Sequence, residues 1–149
     1  PNQVMGVYDQ SLIEPIANVL KSLGSRHVMV VHSADGLDEL STADKTFIAE
    51  LKGGVVTTYS IHPEELGFGL GNLSDIKADD AEGSLSLIKE AFSGQNGTAK
   101  DIVSLNAGAA IYVSGLTTSL QSGVDKANQA LSNGSAQQKF EDYVKASNS

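Results

Sequence analysis

An amphipathic stripe that stops at a glycine and is followed at once by a short apolar block most limits what this chain can fold into. Ile13, Ile16, Ala17, Leu20 and Leu23 recur at spacings of three and four, and Gly24 comes next. That period puts the apolar side chains on one face of a helix, and glycine takes the left-handed conformation that closes one. The helix is expected to start at Ser11, because Ser11-Leu12-Ile13-Glu14 reads as a capping box, with Pro15 in the first turn where its missing donor matters little. Val28-Met29-Val30-Val31 then run without a polar interruption. A run of that kind after a helix is expected as a strand over 27–31, buried on both faces as in a mainly parallel sheet. Helix followed by buried strand is the repeating unit of α/β folds.

Downstream, Phe47, Ala49 and Leu51 alternate with Thr46, Ile48 and Glu50, Gly53-Gly54 breaks the run, and Val55, Thr57, Tyr59 and Ile61 alternate again. That pattern predicts a β-hairpin. A second helix is expected with Ala81, Leu85, Ile88 and Phe92 as its apolar stripe and Gly94 at its end. A third should begin near Thr98, with Ile102, Leu105, Asn106, Ala109 and Val113 on one face. Gly108 and Gly115 would let it approach another backbone closely, at some loss of helix propensity. Two shorter amphipathic segments follow, through Leu120, Val124, Ala127 and Leu131, and through Phe140, Tyr143 and Val144. No internal repeat or linker interrupts the 149 residues, which with 40% hydrophobic content suit one α/β domain or a large piece of one. Pro1 precedes the first methionine, Met5, so the start is read as truncated or processed, with no leader.

A formal net charge of −8 repels phosphate backbones, so nucleic acid and anionic membrane surfaces are not expected partners. The absence of cysteine removes disulfides, thiolate metal sites and cysteine nucleophiles, and the cytoplasm is the default compartment. No apolar run approaches the roughly 18 residues of a membrane span. An acidic protein that handles phosphorylated substrates needs a local device, such as a metal ion held by carboxylates.

The loop beyond the first strand offers one. Open α/β sheets bind ligands beyond the carboxyl ends of their strands, and there the chain reads His32-Ser33-Ala34-Asp35-Gly36-Leu37-Asp38-Glu39. Asp35, Asp38 and Glu39 are hard oxygen donors suited to magnesium beside a phosphate, although an acidic turn taken alone is most often just solvated. His32 reads as a hydrogen-bonded core or rim residue before it reads as a general base. His27 and His62 show no partner. The glycines at 67, 69 and 71 look superficially like a phosphate cradle, but no strand leads into them and no helix follows immediately, so an ordinary loop is expected.

Several segments resemble anthranilate phosphoribosyltransferases in order and spacing: Gly6-Val7-Tyr8-Asp9, Val19-Leu20-Lys21-Ser22-Leu23-Gly24, Val30-Val31-His32, and Asp35-Gly36-Leu37-Asp38-Glu39-Leu40-Ser41. Ala49-Glu50-Leu51-Lys52, Asp80-Ala81 and Leu105-Asn106-Ala107-Gly108-Ala109-Ala110 with Tyr112-Val113 extend the likeness over the whole chain. The resemblance implies an α/β unit, a mostly parallel sheet with a hairpin flanked by helices. It would span 1–149 as the C-terminal part of the larger α/β domain shared with nucleoside phosphorylases. It implies transfer of phosphoribosyl from phosphoribosyl diphosphate to anthranilate in tryptophan biosynthesis by a homodimeric parent enzyme. By the same resemblance, Asp38 and Glu39 hold Mg2+ on the diphosphate. The chain departs from the family at Ser33, where glycine is usual, at Ser84, where asparagine is usual, and at Ala78 and Asp79, where two glycines are usual. The family's Gly-Thr-Gly-Gly-Asp loop, its Lys-His-Gly-Asn segment and the arginine for the anthranilate carboxylate do not occur here, so this chain alone is expected to be inactive. The rival readings are a nucleoside phosphorylase of the related fold and a nucleic-acid-binding relative without activity, the latter opposed by the net charge.

Overall fold

The apolar block after Gly24 forms an inner strand of a four-stranded sheet. In the computed structural model, which describes residues 1–148, the strands are β1 (Asn2–Gly6), β2 (His27–Ser33), β3 (Thr46–Lys52) and β4 (Val55–Ile61), side by side in that order. The helices are α1 (Ile13–Ser22), α2 (Ala81–Phe92), α3 (Thr98–Ser114), α4 (Leu120–Ser132) and α5 (Ser135–Ser147). Both faces of β2 are covered, which is why its apolar run has no alternation. On one side Val28 and Val30, with Ala49 and Leu51 of β3, pack on Ile13 and Ala17 of α1. On the other, Met29, Val31 and Ile48 meet Leu105, Ala109, Tyr112 and Val113 of α3, with Val124 of α4 behind.

The α/β class, the hairpin and the flanking helices are as expected, but the sheet is not mostly parallel. Only β1 and β2 run parallel, joined by α1 as a crossover; β2 with β3 and β3 with β4 are antiparallel. The reason lies in residues 34–45, which carry no helix to take the chain back across a face, so β3 returns in the opposite sense. The hairpin turn at Gly53 and Gly54 has φ of 58° and 79°, the left-handed pair that matches the twist of the flanking strands.

Five local expectations change. The entry to α1 is capped by Asp9, whose Oδ1 accepts from the Ser11 amide and the Ser11 hydroxyl, both at 2.8 Å, through a 3-10 turn at Gln10–Leu12. Ser11 is therefore the capped residue and not the cap. Leu23 leaves the α1 stripe at 73% exposure because the helix has already unwound before Gly24, with φ of 85°. In α2, Leu85 and Ile88 are exposed and only Ala91 is buried, since the helix meets the rest of the fold at its C-terminal end. Gly115 ends α3 in the left-handed conformation, whereas Gly108 does make the close helix contact expected of it. In the last segment Phe140 packs edge-on against Phe92 at 5.5 Å between ring centres, and Tyr143 and Val144 stay exposed.

Candidate functional site at the end of the parallel strands

The loop that leaves β2 is bound to itself before it reaches the acidic pair. Ser33 donates its amide to the Leu37 carbonyl (2.9 Å), Ala34 to Lys45 (3.0 Å), and Gly36 turns the chain with φ of 95°. Asp35 is consumed inside this turn. One carboxylate oxygen accepts from the Leu37 amide at 3.1 Å and the other from the Ser41 hydroxyl at 2.5 Å. Among the described residues no three carboxylates or imidazoles gather as a metal cluster, so the three-carboxylate grouping suggested by sequence reduces to Asp38 and Glu39.

Those two carboxylates are exposed, and neither is engaged by another side chain among the described residues. Their backbone is held from two sides. Gly6, the last residue of β1, lies so close to the Asp38 carbonyl that a Cβ there would sit 1.4 Å from its oxygen; only glycine fits. On the other flank, buried Leu40 donates its amide to Asn106 Oδ1 at 3.0 Å, and Asn106 Nδ2 donates to the Leu40 carbonyl at 2.8 Å. Magnesium keeps several waters and needs only one or two protein carboxylates when substrate phosphates complete its shell, so a free, adjacent pair of hard oxygen donors fits it.

His32 carries its proton on Nδ1, since that atom lies 2.8 Å from the Val7 carbonyl, which only accepts. It fixes the chain between β1 and α1, the bland role expected of it. The glycines at 67, 69 and 71 form an ordinary loop: Phe68 is in the core, Gly71 donates to the Thr42 carbonyl at 2.8 Å, and a 3-10 turn at Leu73–Ile76 follows where a phosphate cradle needs a helix. His62 is exposed beside that loop.

His27 has a partner after all, at the far end of β2. Its Nε2 meets Glu50 Oε1 at 2.8 Å; Tyr112 donates to the same oxygen at 2.7 Å and Tyr59 to Oε2 at 2.8 Å, while Lys52 donates to the Tyr112 hydroxyl at 2.9 Å. Centred on buried His27, Glu50 and Tyr112, this group ties α3 to the sheet. Burial pushes the Glu50 carboxyl up, but the hydrogen bonds from Tyr112, His27 and Tyr59 outweigh it and hold the group below its ordinary 4.5. Burial and the neighbouring Glu50 raise both tyrosine hydroxyls, which stay protonated and donating. With the folded value of Glu50 depressed, its contribution to stability is present above 4.5 and is lost as pH falls through the folded value. In a pH series of urea midpoints running from neutrality down past 4.5, Glu50→Gln should remove part of the acid-side loss seen in the parent. Parallel curves for parent and variant would show that Glu50 does not carry it.

Residues 1–137 match the model of the glycosyl transferase family, a/b domain. The chain belongs to that family. Among curated relatives, the anthranilate phosphoribosyltransferase of Ruthia magnifica subsp. Calyptogena magnifica is 61% identical over 147 residues, covering 99% of this chain and 43% of the relative. That of Hydrogenovibrio crunogenus is 47% identical over 149 residues, covering 100% of this chain and 44% of the relative. The chain thus spans under half the length of the curated relatives it matches. Among solved structures, the anthranilate phosphoribosyltransferase of Thermus thermophilus superposes with a TM-score of 0.84 at 34% identity, over 93% of this chain and 41% of that one. The Saccharomyces cerevisiae enzyme in complex with 4-fluoroanthranilate gives 0.79 at 25% identity, over 94% and 41%.

Asn106 is the residue whose part at this site sequence reasoning missed. It was legible as a weak helix former on an otherwise apolar face and as part of a family-like segment, and nothing local says that it reaches Leu40.

Proposed function

We propose that this chain is part of an anthranilate phosphoribosyltransferase, which moves the phosphoribosyl group from phosphoribosyl diphosphate to anthranilate in tryptophan biosynthesis. The observation that carries this reading is the 61% identity over 99% of the chain to a relative of that name. Asp38 and Glu39 hold Mg2+ against the diphosphate, supported by their free carboxylates beyond the parallel pair of strands. When bound, the metal neutralises charge that builds on the leaving diphosphate and templates its position. The chain's own contribution is to present the two carboxylates beyond β2, with Gly6 leaving room for the Asp38 carbonyl. His32 keeps its Nδ1 proton on the Val7 carbonyl and so steadies the segment between β1 and α1.

The chain is one wall of a site completed by other parts of a longer protein, which on the family resemblance is a cytoplasmic homodimer. Holding both substrates in register supplies several kcal/mol, on the order of 7–11 in favourable cases, and one wall does not provide it. The test supplies anthranilate, phosphoribosyl diphosphate and magnesium and follows the loss of anthranilate fluorescence, first with this chain alone and then with a full-length protein that contains it. Turnover by the longer protein and none by the chain alone is expected. Turnover of a nucleoside with phosphate, and none of anthranilate, by the longer protein would move the activity to the phosphorylase class.

A further inference from the structure

We propose that Asn106 is the positioning residue for Asp38 and Glu39, fixing the segment that bears them from within helix α3; this rests on the metal-holding role proposed above. A primary amide has one acceptor oxygen and two N–H donors, and all three are used. Oδ1 accepts from the Leu40 amide at 3.0 Å, and Nδ2 donates to the Leu40 carbonyl at 2.8 Å and to the Ile102 carbonyl at 3.0 Å. The first two bonds take both backbone groups of one residue, as a neighbouring strand would, although Leu40 belongs to no strand. The third reaches back one turn of α3 and fixes the amide's orientation, so the clamp is referred to the helix and not to the loop itself.

Leu40 is fully buried, so its backbone groups have no water to turn to if the amide is lost. On its other flank, the Asp38 carbonyl rests against Gly6. Glu39 therefore lies between two fixed points, and the pair, whose side chains have no partner of their own among the described residues, takes its spacing from this backbone. Aspartate in place of Asn106 keeps an acceptor for the Leu40 amide but presents a carboxylate to two carbonyl oxygens. Leucine keeps the shape and makes none of the three bonds. Glutamine is one methylene too long for the same geometry. The requirement for both an acceptor and two donors at this reach explains a poor helix former in the middle of α3.

The experiment uses the full-length protein with Asn106→Leu, Asn106→Asp and, as a control on the same helix, Ser104→Ala, which removes a buried bond to Asn128 (2.8 Å) without touching the loop. Manganese serves as the spectroscopic probe for the magnesium site, titrated with phosphoribosyl diphosphate present. Amide exchange over residues 38–40 and KM for phosphoribosyl diphosphate are read on the same samples. Loss of an outer partner of metal ligands typically weakens affinity about 10–100-fold. Asn106→Leu should weaken manganese binding by about tenfold or more, raise KM and speed exchange at Leu40, while Ser104→Ala at comparable thermal stability leaves all three near the parent. Should Asn106→Leu not fold, Asn106→Asp carries the same comparison. Parental manganese affinity in both Asn106 variants, or equal losses in the Ser104 control, overturns the proposal. The double replacement Asp38→Asn with Glu39→Gln separates the two readings. If it leaves manganese binding intact, the metal role fails and this inference with it; if it abolishes binding while the Asn106 variants do not, only this inference fails.

Discussion

Replacing Asp38 by asparagine and Glu39 by glutamine in the full-length protein is expected to lower turnover by on the order of 100-fold or more, the size of loss seen when a charge-stabilising group is removed from a reacting centre. Neutral amides keep the shape of the carboxylates and lose the charge that holds a hard cation. Stability should hardly change, because both side chains are exposed and make no hydrogen bond or ion pair among the described residues. The rate is followed by anthranilate fluorescence across a magnesium titration, and the melting temperature is taken on the same protein. Parental turnover at every magnesium concentration would falsify the assignment. A large drop in melting temperature alongside the lost rate would mean that the pair serves the fold instead.

Gly123→Ala should damage the fold, and its sign runs against helix propensity. In an exposed helix interior, alanine for glycine is worth about 1 kcal/mol of stabilisation. Here a Cβ on Gly123 would lie 2.3 Å from the Gly108 carbonyl oxygen, and one on Gly108 would lie 2.7 Å from the backbone nitrogen and Cα of Val124. Helices α3 and α4 thus meet backbone against backbone, and the added carbon must push them apart. That opens a seam closed by Leu105, Ala109, Val113 and Val124, all buried. Overpacking of this kind costs typically 1–3 kcal/mol, and the upper end, about 3, is expected because backbone rather than a flexible side chain must move. In a domain of this size that corresponds to roughly 6–12 °C in melting temperature. An unchanged or raised melting temperature would show that the two helices are not in contact as described.

Much of this was legible along the chain. The stripe from Ile13 to Leu20, the apolar block after Gly24 and the Gly53-Gly54 turn are local devices, each set by the period of side chains or by the φ that glycine tolerates. Where neighbouring residues competed for one role, pattern was not enough. Asp9 took the cap that Ser11 also suited, because its carboxylate accepts from both the amide and the hydroxyl of that serine. Leu85 and Ile88 had the spacing of a buried face, but burial depends on what lies opposite, and among the described residues both remain partly exposed, at 40% and 37%.

By itself the sequence determined the helices, the strand β2, the β3–β4 hairpin and its turn, and that Asp38 and Glu39 stand just beyond a strand's carboxyl end, but not β1 (Asn2–Gly6), which its pairing with β2 decided. Those properties follow from residues within a few positions of one another. The tertiary structure alone decided that β3 runs antiparallel to β2, that Asp35 turns inward to Ser41, and that Glu50 gathers His27, Tyr59 and Tyr112 at the other end of the sheet. It also brought Asn106 onto Leu40, 66 residues away in the chain, and Gly6 against Asp38. Such contacts are made by groups whose separation is set by the path of the whole backbone, and a hydrogen bond or a missing Cβ leaves no periodic trace in the sequence around it.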